Sequence, residues 1–458
     1  MAEVTSTPDR IPSTNSFVDG SISKHLLRLG SYMAMGSISL NVAQLAEAVY
    51  LGIVGTEALA AMGFAFPITI TLFAFAGGIG SGASSVIARS VGAGDQERTI
   101  RLVTHAQVLA IVVGITLAVL GYQFANDIVT LLGAKDMVRT MSIDYLQVYM
   151  IGIPLFLLSI VGSTLLRATG SAASPGIIMT AGSVLQIILG PVLIFGWFGI
   201  AEMGIAGAAW AYVISRFVSV CLYCAMLVRA RMVQWSFDQM RASWLAILHV
   251  GGPAIASGLI QPVSMLIVTR LLAGHGHEVV AGYNVASRVE TMAHMILWSA
   301  SSSAEPLIGQ NWGARKFERV KEALRQVNRF CLAWGAFTFI FMVTFGEWLV
   351  SLIDDNQIVV DVAGAFFLVI PLTIGFMGIM QVANSSFNAR GRPTPAFVLS
   401  LVRTLVFYIP LAILGDWLWG YLGIFIATAF TNVSLGIVAW YWNRVSVERE
   451  SRILTSTA

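Results

Sequence analysis

Long apolar stretches recur along the whole 458-residue chain and constrain its fold more than any other feature. A helix needs about 20 mainly apolar residues to cross a bilayer. Twelve stretches are near or above that length: residues 27–51, 58–86, 102–124, 143–166, 176–197, 204–228, 245–273, 280–307, 330–350, 362–388, 396–415 and 420–442. Only 11% of the residues are charged, against about a quarter in a soluble chain. The sequence therefore predicts an all-α membrane protein with twelve transmembrane helices in a lipid bilayer.

Basic residues are distributed unequally between the two sides that these helices define. With a cytoplasmic N-terminus, 21 of the 27 lysines and arginines fall on inner loops and tails, and the outer loops hold only Lys135 and Arg139. Positive charge collects on the cytoplasmic side of multi-pass proteins. We expect a protein of the plasma or bacterial inner membrane with both termini in the cytoplasm. Four arginines remain inside spans: Arg216, Arg270, Arg288 and Arg403.

The second half of the chain repeats the first. Small and charged residues recur at a constant offset of 221 positions. The matched pairs include Gly55 and Gly276, Glu57 and Glu278, Gly92 and Gly313, Glu97 and Glu318, and Ala168 and Ala389. Six spans per half is an even number, so both halves enter from the same side. Parallel repeats of this kind occur in secondary transporters whose substrate binds between the halves.

The predicted organisation has five parts. They are a polar cytoplasmic tail (1–24), an N-lobe of six helices (25–228), a cytoplasmic linker (229–243), a C-lobe of six helices (244–442) and a second cytoplasmic tail (443–458). The first tail lacks an apolar core, so we expect no cleavable signal peptide. A channel is more often built from several identical chains around one pore, and we expect this chain to act as a monomer.

Several classes of function are disfavoured. The net charge of +3 and the placement of basic residues in short loops argue against nucleic acid as a partner. Cys221, Cys224 and Cys331 have no histidine or second cysteine pair nearby, so neither a metal site nor a disulfide framework is expected. Gly92 and Gly313 are interpreted as turn residues, since the Walker lysine pattern is absent. No catalytic pattern argues for an enzyme, and no cofactor is implied.

Five motifs together resemble one family of transporters. They are GIVGTEALAAMGFAFPI (52–68), ARSVGAGDQERTIR (88–101), LLRATGSAASP (165–175), EPLIGQNWGARKFERVKEAL (305–324) and FNARGRPTPAF (387–397). In this order they look like the two halves of a MATE (multidrug and toxin extrusion) transporter, over about residues 25–445. The resemblance implies a V-shaped, two-lobe bundle that exchanges H⁺ or Na⁺ for a bulky, often cationic organic substrate. The loop at 91–101 does not match the pattern of the major facilitator superfamily, the other large twelve-helix group.

Glu47 is the leading candidate for proton coupling. It lies in the apolar run QLAEAVYLG near the outer end of the first span. A carboxylate at membrane depth costs on the order of 2–3 kcal/mol, and desolvation favours its neutral form. The segment AEAVYLG is similar to a family segment resembling VDTIFVG, which implies that Glu47 stands at the family's aspartate. The alternative is a glutamate that snorkels to the outer interface.

Gln186 and Tyr212 are predicted to assist Glu47. The stretch QIILGPVLIF is similar to NIILDPLFIF of the DinF-like branch, with Gln186 at the asparagine and Gly190 at the aspartate. Tyr212 stands where a threonine is common. Both side chains are expected to bond Glu47 or substrate, and ordinary helix packing is the alternative.

The NorM-like branch fits less well. Its helix-seven glutamate falls on Gln261 and its helix-ten aspartate on Ile379. A Na⁺ site needs several hard oxygen ligands, usually carboxylates. We therefore expect H⁺ rather than Na⁺ as the coupling ion, and a chain closer to the DinF-like branch.

Glu290 and His294 form a second candidate relay. They are spaced i, i+4 in the eighth span and so share a helix face. An acid and a histidine can pass a proton between them. The alternative is a structural pair of Glu290 with the nearby Arg288 and an interfacial histidine.

The predicted function is secondary active export of bulky organic compounds in exchange for H⁺. Candidate substrate contacts, for which lipid-facing placement is the alternative, are Tyr50, Phe64, Tyr145, Tyr149, Phe156 and Gln261. Aromatic rings hold flat cations by apolar and cation–π contact. Alternatives are Na⁺-coupled efflux, a flippase for a lipid-linked precursor on the same fold, and a membrane scaffold or receptor without transport.

Overall fold

The computed structural model of the protein is built almost entirely of helices. It describes residues 17–234, 236–352 and 356–456, and for Gln261 the backbone alone. In the first half the helices are α1 Ile22–Val54, α2 Thr56–Gly92, α3 Gln96–Gln123, α4 Ala125–Leu131, α5 Asp136–Ile151, α6 Ile153–Ala168, α7 Ser174–Ile194 and α8 Gly204–Arg229. In the second half they are α9 Met240–Ala273, α10 His277–Gly313, α11 Phe317–Ser351, α12 Gln357–Val369, α13 Ile374–Ala389, α14 Pro393–Leu401, α15 Ile409–Trp419 and α16 Tyr421–Ser456.

The predicted all-α membrane fold is confirmed. In the described part of the chain, ten helical segments are long and apolar enough to span a bilayer, with α12–α13 and α14–α15 each counted as one, and the bent pair α5–α6 is an eleventh. The predicted eighth span is α10, whose 37 residues exceed the required length. It is more polar than the others because it carries Glu278, Arg288, Glu290 and Glu305.

Helix irregularities occur where the sequence removes or shifts backbone hydrogen bonds. Helices α5 and α6 meet at an angle of 48°, next to Pro154, which has no N–H to donate to the preceding turn. A short 3₁₀ turn at Pro371–Thr373 separates α12 from α13, and a π-helical segment, Val402–Tyr408, separates α14 from α15. Such π segments are often found at functional positions, and this one contains Arg403.

Two large hydrophobic cores correspond to the two halves of the chain. The first runs from Leu51 to Leu227 with Ile247 added, and the second runs from Val268 to Val447. We call the two helix groups the N-lobe and the C-lobe. The side on which α1 begins and α16 ends is called the inner side, and we predict that it faces the cytoplasm.

The two lobes are joined at the inner side. Within the described ranges, every side-chain hydrogen bond between the lobes lies there, among them Gln310 Nε2 to Ala168 O at 2.9 Å. Gly92 and Gly313, related by the repeat, pack reciprocally. A Cβ on Gly92 would lie 1.9 Å from Gln310 O, and one on Gly313 would lie 2.1 Å from Arg89 O. Both glycines thus permit contact between the lobes, and the interpretation as turn residues is wrong.

Residues 17–21, here called the N-terminal strap, cross this junction. Phe17 is 2% exposed. Its N–H donates to Gln310 Oε1 at 2.8 Å, and Asn311 Nδ2 donates to its carbonyl at 3.1 Å. Gln310 also reaches Ala168 of the N-lobe. The strap therefore ties the start of α1 to the inner end of α10.

Candidate functional site

Glu47 is buried inside the N-lobe, with 9% of its surface exposed. Tyr145 of α5 donates its hydroxyl hydrogen to Glu47 Oε1 at 2.8 Å. Gln186 of α7 donates from Nε2 to Glu47 Oε2 at 3.0 Å. Each carboxylate oxygen therefore has one donor, and both donors belong to helices other than α1. Side-chain hydrogen bonds hold Glu47 inside the lobe, whereas a snorkelling glutamate would extend toward water.

An aromatic stack extends from this carboxylate. The Tyr145 and Tyr149 rings stack with centroids 5.8 Å apart, and Tyr149 and Tyr212 stack at 4.5 Å. Phe156 follows, with its centroid 6.3 Å from that of Tyr212. Tyr212 thus lies two rings away from Glu47, and the direct phenolic partner of the acid is Tyr145.

Arg216 supplies a positive charge beside the stack. It follows Tyr212 by one helical turn on α8, and its Cζ lies 5.1 Å from the Tyr212 ring centroid. The side chain is 3% exposed and interacts electrostatically with Glu47. In the described part of the chain, its Nε and Nη2 atoms have no hydrogen-bond partner. Glu47 and Arg216 therefore both lie in the N-lobe interior, with no salt bridge between them in the described part of the chain.

A small cavity lies next to the acid. Its lining is Ala43, Glu47, Tyr50, Gln186, Gly190, Ile194, Ala208 and Ala211. The walls come from α1, α7 and α8. A proton or a small polar group that entered this cavity would meet the carboxylate directly.

The structure brings together some of the predicted site residues and separates others. Glu47, Gln186, Tyr50 and the rings of the stack share the N-lobe interior. Tyr145, Tyr149 and Phe156 are at most 5% exposed, so a substrate would reach their faces only after rearrangement. Phe64 is partly buried against the N-lobe core. The side chain of Gln261 lies outside the described residues, and its predicted substrate contact stays a prediction.

The second candidate relay lies inside the C-lobe. His294 Nε2 and Glu290 Oε1 are 3.7 Å apart, which is longer than a hydrogen bond. The cation that interacts electrostatically with both is Arg403, whereas Arg288 is exposed. Arg403 Nη2 donates to Asn432 Oδ1 at 3.0 Å. The positive charge near Glu290 is therefore that of Arg403 in the π-helical segment, 113 positions further along the chain. It is not that of Arg288, two positions before Glu290.

Two of these contacts were outside the reach of sequence reasoning. Tyr145 was predicted as a substrate contact, and the structure places it on the acid. Arg216 was identified as a cation within a span, but the helix face it occupies was not. In both cases the sequence shows only that a polar or aromatic residue shares a face of α5 or α8 with other candidates, and this does not identify its partner.

Most of the chain is similar to known transporters. The family model described as MatE matches residues 33–192 and 253–414. A protein of Shewanella oneidensis named FAD transporter is 32% identical over 424 residues, 92% of this chain and 94% of that one. Probable multidrug resistance protein YoeA of Bacillus subtilis is 27% identical over 439 residues, 91% of this chain and 93% of that one. The crystal structure of the Vibrio cholerae MATE transporter VcmN in the bent form gives a TM-score of 0.90 at 27% identity, covering 94% of this chain and 98% of that one.

Proposed function

The chain belongs to the MatE family, and on that premise we propose that it is a secondary active antiporter that exports bulky organic compounds in exchange for H⁺. Related transporters are named for multidrug resistance, which supports drug or xenobiotic export. The observation that carries the proposal is Glu47, a carboxylate held inside the N-lobe by Tyr145 and Gln186. It is the one acid that lines the N-lobe cavity.

The proposed mechanism is competition between a proton and the substrate. Ionised Glu47 attracts the positive end of a substrate that enters the N-lobe. A proton that arrives from outside neutralises the carboxylate, removes this attraction and releases the substrate. Loss of that proton to the cytoplasm in the inward-open form restores the binding state. The tyrosine stack offers flat apolar faces to an aromatic substrate once the lobe rearranges.

The geometry around Glu47 favours H⁺ over Na⁺. A Na⁺ ion needs oxygen lone pairs directed at a common point, as other hard cations do. Tyr145 and Gln186 instead direct hydrogens at the carboxylate. These two hydrogen-bond donors suit a carboxylate that gains and loses a proton.

A second candidate function is export of a flat anionic dinucleotide. The Shewanella oneidensis relative is named FAD transporter, and this chain holds a buried Arg216 in one lobe and a partly buried Arg403 in the other. Each has a buried Nε without a hydrogen-bond partner among the described residues. Such guanidinium groups are suited to phosphate oxygens.

Transport in proteoliposomes tests the proposal. Wild-type protein is expected to move a fluorescent organic cation under an imposed pH gradient and much less under a Na⁺ gradient. Glu47→Gln keeps the shape but loses the titration, so pH-driven exchange should fall to the background while the protein still folds. Glu57→Gln, at an exposed glutamate of the α1–α2 junction, is the matched control. Undiminished pH-driven transport by Glu47→Gln would refute the coupling role.

The same vesicles separate the two candidate substrates. FAD and the fluorescent cation are offered in turn to wild-type protein under one gradient. Faster movement of the cation supports the first proposal. Transport of FAD, with no movement of the cation, supports the second.

A further inference from the structure

Glu305 is a second acid, in the inner half of α10 at the boundary between the lobes, and the coupling mechanism above does not use it. It lies on α10, eight residues before the helix ends at Gly313. Its side chain is partly buried at the boundary between the lobes. The tight crossing of Gly92, Gln310 and Gly313 lies roughly 8–12 Å further toward the inner side, at 1.5 Å per helical residue. Glu305 therefore sits on the outward side of the closed junction.

A directed chain of hydrogen bonds joins Glu305 to the other lobe. Asn388 of the C-lobe donates from Nδ2 to Ser81 Oγ at 3.3 Å. Ser81, on α2 of the N-lobe, donates to Glu305 Oε1 at 2.9 Å. Because the single hydroxyl hydrogen of Ser81 points to Glu305, the glutamate oxygen is the acceptor. Ser85, one turn further along α2, donates to Asn388 O.

The fixed charges around Glu305 are positive. Arg167 of α6, in the N-lobe, interacts electrostatically with it. Further toward the inner side, Arg89 Nη1 donates to the carbonyl of Arg390 at 3.3 Å. An ionised Glu305 on the C-lobe is thus attracted by a cation and a hydroxyl donor of the N-lobe. Neutralising Glu305 removes the attraction and weakens the hydrogen bond, since charge-assisted bonds are roughly twice as strong as neutral ones.

From this geometry we infer that Glu305 is a second proton-binding site, which latches the lobes together when ionised and releases the inner side when protonated. The inference rests on the proposed antiport, because it supplies the step that converts proton binding into opening of the inner side. Proton transfer from hydronium breaks one O–H bond of the donor, forms an O–H bond on one carboxylate oxygen, releases water and leaves Ser81 with a neutral acceptor. The lobes then separate at the crossing of α2 and α10. Loss of the proton to the cytoplasm allows the latch to form again.

The distance between the inner ends of the lobes tests this role. Spin labels are placed at Glu97 and Glu318, whose side chains are 84% and 86% exposed, after replacement of the three native cysteines. These positions are related by the repeat, one in each lobe. Pulsed electron paramagnetic resonance in lipid nanodiscs then reports the distance distribution at mildly alkaline and mildly acidic pH.

The wild-type protein is expected to show mainly the short distance at alkaline pH and a larger long-distance population in acid. Glu305→Gln should show the long distance at both pH values, with the population ratio changed by about tenfold or more, the effect of one hydrogen bond to a charged group. Ser81→Ala should shift the ratio in the same direction by less. Glu305→Asp, which keeps the charge, should retain the pH response.

Glu448→Gln is the control, since the Glu448 carboxylate bonds Arg444 within α16 and, among the described residues, has no side-chain hydrogen bond to the N-lobe. A wild-type response in both Glu305→Gln and Ser81→Ala would overturn the inference. The distance between the spin labels is measured without any transport assay, so it can fail or succeed independently of the proposed antiport. If Glu47→Gln still transports under a pH gradient while Glu305→Gln loses the distance response, then the coupling proposal fails and the latch stands.

Discussion

At the residue scale, Gly190 and Tyr50 decide how many acids the N-lobe pocket can hold. A Cβ on Gly190 would lie 2.9 Å from ring atoms of Tyr50. The Tyr50 hydroxyl donates to Ile187 O at 3.3 Å, which anchors the ring on α7. An aromatic ring thus fills the place where the family resemblance implies a second carboxylate. Glu47 is left as the acid of this pocket.

We expect Gly190→Asp to destabilise the protein by about 1–3 kcal/mol, because the added atoms force the Tyr50 ring to move. Combining it with Tyr50→Ala should recover part of that loss. Thermal unfolding of the two single variants and the double variant, arranged as a double-mutant cycle, measures the coupling. Strictly additive effects would show that the ring and position 190 do not compete for space.

Glu47 could be identified in the sequence because a lone carboxylate in an apolar run is costly in hydrocarbon. Its donors could not be assigned in the same way. Tyr145 is 98 positions away and Gln186 is 139 positions away. Either could have faced lipid, another helix or a cavity. The packing of α1, α5 and α7 brings them to the acid.

At the element scale, small residues set how closely α2 and α9 approach. A Cβ on Gly82 would lie 2.2 Å from the backbone oxygen of Ile247, and one on Gly78 would lie 2.9 Å from Gly251 O. Backbone atoms cannot yield as a flexible side chain can. The run GGIGSGASS (77–85) therefore serves the contact between the lobes, a use of small residues that is common between membrane helices.

Gly82→Ala is expected to lower thermal stability markedly, by about 1–3 kcal/mol, because the methyl group meets backbone of the other lobe. Gly77 is a matched control on the same helix, since a Cβ there would meet nothing within 4 Å. Gly77→Ala should be neutral or stabilising by up to about 1 kcal/mol, the difference in helix propensity. Equal melting temperatures for the two variants would contradict the close approach.

At the scale of the whole molecule, the N-terminal strap adds to the contacts that join the lobes at the inner side. Lys316 Nζ lies 2.8 Å from Asp19 Oδ1 and lowers the pKa of that exposed carboxyl through its hydrogen bond and charge. Arg319 donates to the carbonyl of Gly20 at 2.9 Å. In the proposed antiport, opening of the inner side would require the strap either to break these contacts or to move together with the C-lobe.

Phe17→Ala should release the strap, because truncating a buried phenylalanine costs about 3–5 kcal/mol in a well-packed site. Hydrogen–deuterium exchange of residues 17–30, followed by mass spectrometry, is expected to become faster. Phe124→Ala, at a half-exposed ring between α3 and α4, should leave exchange in this segment unchanged. Unaltered exchange in Phe17→Ala would mean that the strap does not depend on this anchor.

The sequence by itself determined the membrane class, the spanning segments and the internal repeat, because hydropathy and residue spacing are local or periodic properties of the chain. It also identified Glu47, since burying a charge among apolar neighbours is unusual wherever it occurs. The tertiary structure decided which side chains meet: Tyr145 with Glu47, Arg403 with Asn432, and Ser81 with Glu305. Each of these contacts joins two different helical segments. Their formation depends on the rotation and crossing of packed helices, which no local pattern specifies.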